Sequence, residues 1–178
     1  LSSIPASHRL QAMRPMQRCE HGQSWTWDGV TFTVLHPRAQ DYDTNAKPNA
    51  LSCVLRITTP QTVSALLVGD IEAAQERALV RSGEPLDAQW LLVPHHGSAT
   101  SSTAEFVQAV HPRIAVVQAG YRNRFGHPRA DVMARYAAQG VYVVQTTRCG
   151  ASKWQSERPI MVHCARDEQQ RYWHHRLP

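Results

Sequence analysis

The chain has 178 residues, 42% of them apolar, enough for one domain with a real core and ordinary for a globular fold. Its formal net charge of +5 favours an anionic partner such as nucleic acid or a phosphate ester. No run approaches the roughly 18 to 20 consecutive apolar residues of a membrane span, which excludes such a helix here, and Leu1-Ser2-Ser3-Ile4-Pro5 has neither initiator methionine nor signal-peptide layout, so a fragment is expected.

Residues 1–24 carry Pro5 and Pro15 with no clear period and read as a connector or edge segment. Trp25-Thr26-Trp27 and Val30 to Leu35 then alternate large apolar and polar residues around Asp28-Gly29, the strongest short hairpin signal. Residues 36–50 are rich in turn formers. His36 there is more often a turn residue than a ligand. Strands are predicted over 51–58 and 63–68, paired antiparallel.

From Ile71 the period changes, and Ile71, Ala74, Ala78 and Leu79 describe a helix with Gly83 as its stop. Asp70, between strand and helix, has two readings. It is a good N-cap, accepting a hydrogen bond from the helix's free amides, or it is a carboxylate held at a strand end for a metal ion. Taken alone, the cap is favoured.

A strand over 89–93 leads into Pro94-His95-His96-Gly97-Ser98, after which Ser102 and Glu105 stand in the spacing of a capping box that opens a helix over 103–110. Ile114 to Val117 form another buried strand, followed by a basic, glycine-framed loop from Gly120 to Pro128. Pro128 suits the first turn of a helix running to about residue 138. Strands over 141–144 and 159–164 follow, and then a polar, basic tail over 165–178 in which His174-His175 read as surface residues.

Asp70, the His95-His96 pair and His127 thus each follow an apolar strand and precede a helix. If the intervening units are β-α-β, these residues line one edge of the sheet, where α/β folds bind ligands. Such a set supplies part of a metal site that activates water. Backbone amides near Ser98, together with Arg122 and Arg124, are candidates to hold a phosphate.

At these residues the chain also resembles a known family. Leu66 to Glu72, Val93 to Ser98, Asn123 to Pro128 and Asn49 to Arg56 are similar to segments of the C-terminal metallo-β-lactamase-like domain of the ComEC competence proteins, inner-membrane channels for DNA uptake. The likeness runs over 25–164. It implies an α/β fold, the C-terminal portion of an αββα sandwich, with a nuclease-like site on the periplasmic face of the inner membrane. There it would degrade the strand that does not enter the cell. By the same resemblance Asp70 falls on the metal-bridging aspartate and His95-His96 on a later histidine motif. Which of the two rings binds Zn²⁺ or Mn²⁺ stays open. His127 matches a histidine for substrate contact or proton transfer, and His96 is a further catalytic candidate.

Two departures stand out. The metal-binding H-x-H-x-D-H-like segment that opens the superfamily's site is absent, so a metal bound here would be under-coordinated and the chain alone is expected to be inactive. Ala99 also stands where relatives often carry lysine. The oxidising compartment implied by the resemblance gives the four cysteines a purpose. Of the three full pairings possible, Cys149 with Cys164, flanking a two-strand excursion, and Cys19 with Cys53 are expected. The expected function is that of a metal-dependent phosphodiesterase on single-stranded DNA, tied to the membrane-channel part of the same polypeptide. The alternatives are a non-catalytic DNA-guiding module and a small ester or lactone hydrolase.

Overall fold

The computed structural model of the protein describes residues 1–4, 8–13 and 16–168. The tail beyond residue 168, with His174-His175, lies outside the described residues. A short helix α1 (Arg9–Met13) precedes the hairpin of β1 (Ser24–Trp27) and β2 (Val30–His36). Asp28 and Gly29 both take positive φ, +50° and +76°, the conformation a tight two-residue hairpin turn requires. Across the hairpin Trp25 stacks on Phe32 with ring centroids 5.2 Å apart, the kind of cross-strand aromatic pair that fixes register.

Strands β3 (Val54–Thr58) and β4 (Ser64–Leu67) continue an antiparallel meander, and β5 (Trp90–Leu92), β6 (Ile114–Val117) and β7 (Tyr142–Gln145) extend it as parallel strands. The result is one mixed seven-stranded sheet in simple sequence order. Each parallel step is joined by a helix: α2 (Ala73–Ser82), α3 (Ala104–Val110) and α4 (Ala130–Ala138). Strands laid down in one direction with right-handed crossovers put every helix on the same face. That face holds the main core, in which Leu66, Leu91, Ala115 and Val117 meet Leu79, Phe106, Val110, Val132 and Tyr136.

The opposite face carries a row of Trp25, Phe32, Ile57, Ala65, Trp90, Ile114 and Tyr142 across all seven strands. Only part of it is covered. Helix α5 (Thr146–Cys149) and the hairpin of β8 (Ser152–Trp154) and β9 (Val162–Cys164) pack Cys149, Trp154, Val162 and Cys164 against Ile114, Val116 and Val144. At the β1 end Trp27 is 74% exposed. This is an α/β fold compatible with a metallo-β-lactamase-like sandwich: helices on one face, and a second face apolar enough to take another layer.

Several boundaries move from their expected places. The strand predicted from residue 51 begins at Val54, because Pro48–Leu51 form a 3-10 turn. The last strand is shorter than 159–164, and β8 pairs with it, the two-strand excursion expected between Cys149 and Cys164. Helix α4 starts at Ala130 rather than Pro128. Cys19 is bonded to Cys53 and Cys149 to Cys164, with Cα separations of 6.1 and 4.6 Å. The first bond ties residues 16–22 to the start of β3, and the second closes the β8–β9 hairpin over the sheet.

Candidate active site

The ends of β4, β5 and β6 bring Asp70, His95, His96 and the loop to His127 to one edge, together with the loop that leaves β2 at His36. Asp70 is not the cap of α2. Glu72 takes the N-cap position, and its N–H is accepted by the Gln75 amide oxygen at 3.3 Å. Asp70 instead follows Gly69 in a turn whose next amide is held by the Ser52 hydroxyl at 3.1 Å, leaving its carboxylate half-exposed at the edge. Gly69 has φ of +55°, and a Cβ there would lie 3.0 Å from the Ser52 Cβ, so a side chain would be strained and would crowd Ser52.

The His-His turn is built on left-handed backbone. His95 and His96 have φ of +47° and +56°, a region costing an L-residue about 1–2 kcal/mol. The His95 N–H donates to the Gly69 carbonyl at 3.0 Å, and the Ser101 hydroxyl bridges the Pro94 and Ser98 carbonyls. This turn sends the two imidazoles in different directions. His96 Nε2 lies 3.4 Å from Asp70 Oδ1, while its Nδ1 is 2.7 Å from the Gln118 carbonyl oxygen. A carbonyl only accepts, so Nδ1 carries a proton, and Nε2 is the ring nitrogen turned toward the carboxylate. Either a proton or a metal cation fits between that nitrogen and the Asp70 oxygen. A carbonyl on the far ring nitrogen is also the usual way of orienting a metal-binding histidine.

His95 turns away to Glu72. Its Nδ1 is 3.4 Å from Glu72 Oε1 and 3.4 Å from the Thr100 hydroxyl, which itself donates to Glu72 at 3.1 Å, and its Nε2 is 3.4 Å from the Asn49 side-chain nitrogen. The ring centre of His127 is 6.1 Å from that of His95. Asn123 holds His127 from both sides, accepting its N–H at 3.0 Å and donating to its carbonyl at 2.6 Å. Burial first, then the nearby His95, His96 and Arg129, push the His127 imidazole below the ordinary histidine range, so it is neutral at neutral pH. Its Nδ1 is buried with no hydrogen-bond partner among the described residues.

The remaining predicted residues divide. Ser98 is buried, its hydroxyl engaged with Thr100 at 3.1 Å. Arg122 and Arg124 are exposed, lying 5.2 Å and 4.8 Å from the ring centres of Tyr121 and Phe125. His36 is buried at the end of β2, its Nε2 2.8 Å from the Ala50 carbonyl oxygen, and burial lowers its pKa. It is a core histidine of the strand end rather than a turn residue. Toward a divalent metal the Asp70–His96 pair offers a hard oxygen and an imidazole nitrogen, but among the described residues no group of three His, Cys, Asp or Glu side chains converges on one point. The pair therefore suits a metal as part of a donor set and not as the whole of one.

Competence protein ComA of Neisseria gonorrhoeae is 39% identical over 130 residues, which cover 72% of this chain and 18% of that protein. YcaI of Escherichia coli, an uncharacterised protein, is 37% identical over 135 residues, and ComE operon protein 3 of Bacillus subtilis 33% over 155, covering 75% and 85% of this chain. The chain belongs to the ComEC family. It spans 17–20% of the length of these three relatives. No family model matches it. In this ComEC-family chain no described helix is long and apolar enough to cross a membrane.

The sequence pattern does not reveal several residues that build the site. Glu72 and Gln75 stand three apart in capping-box spacing, a local signal that was available. Asn49, Ser52 and Gln118 act on partners 46, 18 and 22 residues away, and no periodicity carries that information. Nor does it single out Glu76. This fully buried carboxylate accepts the Ser102 and Thr103 amides at 2.5 and 2.7 Å and so holds the loop behind His95-His96. It also overturns the predicted Ser102 capping box. Ser102 takes φ of +58° with its amide spent on Glu76, and Thr103 caps α3 through the Phe106 amide.

Proposed function

We propose that this chain is the part of a DNA-uptake protein that carries one side of a metal-dependent phosphodiesterase site, acting on DNA in an oxidising, periplasmic compartment. Membership of a family that includes a relative named as a competence protein supports the uptake context. The observation that carries the chemistry is the His96 Nε2 facing the Asp70 carboxylate at 3.4 Å while Nδ1 is held by the Gln118 carbonyl.

In this reading Asp70 and His96 hold a Zn²⁺ or Mn²⁺ ion together with donors from elsewhere in the polypeptide. The metal, when bound, supplies Lewis acidity and an activated water. Gln118 fixes the His96 tautomer. His95, oriented by Glu72 and Thr100, stands beside the cleft, and neutral His127 contacts the phosphodiester or its leaving group. Arg122 and Arg124, exposed on the loop before His127, offset phosphate charge. Two disulfides accord with the compartment.

The test is cleavage of single-stranded DNA by the full-length gene product with Mn²⁺ or Zn²⁺. Asp70→Ala and His96→Ala each abolish it, and cleavage that survives Asp70→Ala sinks the proposal. The lack of a three-donor group among the described residues favours one rival, a module that guides DNA without cutting it. Salt-sensitive DNA binding with no hydrolysis under any metal decides for that rival.

A further inference from the structure

Next to the Asp70–His96 pair lies a cleft of about 510 Å³. His96, His127, Phe125, Gly120, Gln118 and Thr146 are among the residues that line it. Its size is that of a small-ligand pocket, and its make-up is an apolar body with a few polar groups. The Phe125 ring is 61% exposed, unusual for a phenylalanine, and lies offset-parallel to His127 at 5.7 Å, with the Arg124 guanidinium 4.8 Å from its centre. Aromatic rings and guanidinium planes are the groups on which nucleobases stack. The loop that carries them is held in shape before any ligand arrives: Asn123 spends its amide on Gly120 and His127.

We infer that this cleft is a nucleobase pocket that takes one unpaired base, stacked against Phe125, from the nucleotide whose phosphate lies at Asp70 and His96. The inference rests on the phosphodiesterase reading for the location of the phosphate, and it adds a reason for preferring unpaired DNA over duplex. A base within a duplex is already stacked and paired, and reaching the cleft would cost a few kcal/mol of unpairing. An unpaired base reaches it without that cost. His96 belongs to both features, as cleft wall and as partner of Asp70, so phosphate and base sites are contiguous. Arg122 and Arg124 on the same loop, and the chain's charge of +5, suit the anionic backbone.

The experiment uses the 178-residue chain in EDTA, so that binding is read without cleavage, and a single-stranded oligonucleotide carrying one 2-aminopurine. Wild type binds it and quenches the fluorophore by stacking. Phe125→Ala weakens binding by about tenfold, within the range for loss of one stacked base, and restores emission, whereas Phe125→Trp keeps both. Duplex of the same sequence binds more weakly and is not quenched. Equal affinity and equal emission for wild type and Phe125→Ala overturn the pocket, as does quenching of duplex to the same extent. The underlying reading fails differently: DNA that binds and stacks but survives every metal in the full-length protein removes hydrolysis and keeps the pocket. DNA that is cut with no dependence on Phe125 does the reverse.

Discussion

Glu76 is the residue on which the site's geometry most depends without touching it. Its side chain is fully buried between α2 and the loop before α3. Each carboxylate oxygen accepts one backbone amide, from Ser102 and Thr103, and the Arg135 guanidinium donates to the Ser101 and Ser102 carbonyls beside it at 3.0 Å. Hydrogen bonds to a charged group contribute about 1.5–3 kcal/mol each, and removing the acceptor strands two amides away from water. Glu76→Ala therefore destabilises the fold by about 3–5 kcal/mol, allowing for some entry of water into the space left. For a chain of this length that lowers Tm by roughly 10 °C. Glu76→Gln, whose amide nitrogen must face one of the two donors, falls between wild type and Glu76→Ala. Urea unfolding followed by tryptophan fluorescence measures all three. A loss below about 1 kcal/mol for Glu76→Ala would refute the assignment of Glu76 as the anchor of this loop.

Burial raises the Glu76 pKa above the ordinary carboxylate range, with the Thr103 and Ser102 amides opposing it. A raised folded-state pKa gives a contribution present in full below the unfolded value and lost as pH rises through the folded one, so wild type minus Glu76→Gln stability declines across that window; a difference that grows with pH contradicts it. A Cβ at Gly97 would lie 2.7 Å from the Pro128 Cβ at φ of +80°, so Gly97→Ala costs about 3 kcal/mol from backbone and overpacking together, read by thermal unfolding. Cys149 and Cys164 are 15 residues apart, and opening their bond by Cys164→Ala lowers stability by about 3 kcal/mol on loop entropy; mass spectrometry that finds free thiols in the unreduced protein contradicts the pairing. His95→Gly relieves a left-handed histidine and is expected to keep or raise Tm while lowering DNA cleavage by the full-length protein, and a fall in Tm above about 5 °C counts against the strain.

The parts of this protein legible in its sequence are those governed by local pattern. Apolar runs of four or five residues, each followed by a glycine or proline and then by a helical period, give the order of strands and helices and bring Asp70, His95-His96 and His127 to one edge. Asp28-Gly29 marks its hairpin for the same reason: the turn's chemistry sits in the two residues that make it. What local pattern does not carry is choice among equivalent neighbours. Asp70 and Glu72 are both acidic and both precede α2. Capping-box spacing with Gln75 favours Glu72 as the cap, but it takes the tertiary turn, with Ser52 holding the Asp70 amide, to put the Asp70 carboxylate at the edge and Glu72 beside His95. Likewise Ser102 and Thr103 are equally good caps by type, and a carboxylate 26 residues upstream decides between them by taking the Ser102 amide.

Histidines, and not glycines, occupy the left-handed positions of the turn after β5. Two successive left-handed residues cost about 2–4 kcal/mol when neither is glycine, a sum that a turn needed only for chain reversal would avoid. The strain is offset locally by the Gly69 carbonyl on the His95 amide, by the Ser101 hydroxyl on two carbonyls and by Glu76 behind them. In return the left-handed pair splits two adjacent imidazoles, one toward Asp70 and one toward Glu72, with ring centres 6.4 Å apart. An extended pair would point its rings to opposite faces of the strand, and a helical pair would fan them about 100° apart around one axis. Neither brings each ring to its own carboxylate. The backbone conformation that costs most on this edge is thus the one that gives the site two differently oriented histidines, and the buried network around Glu76 is what keeps it in place.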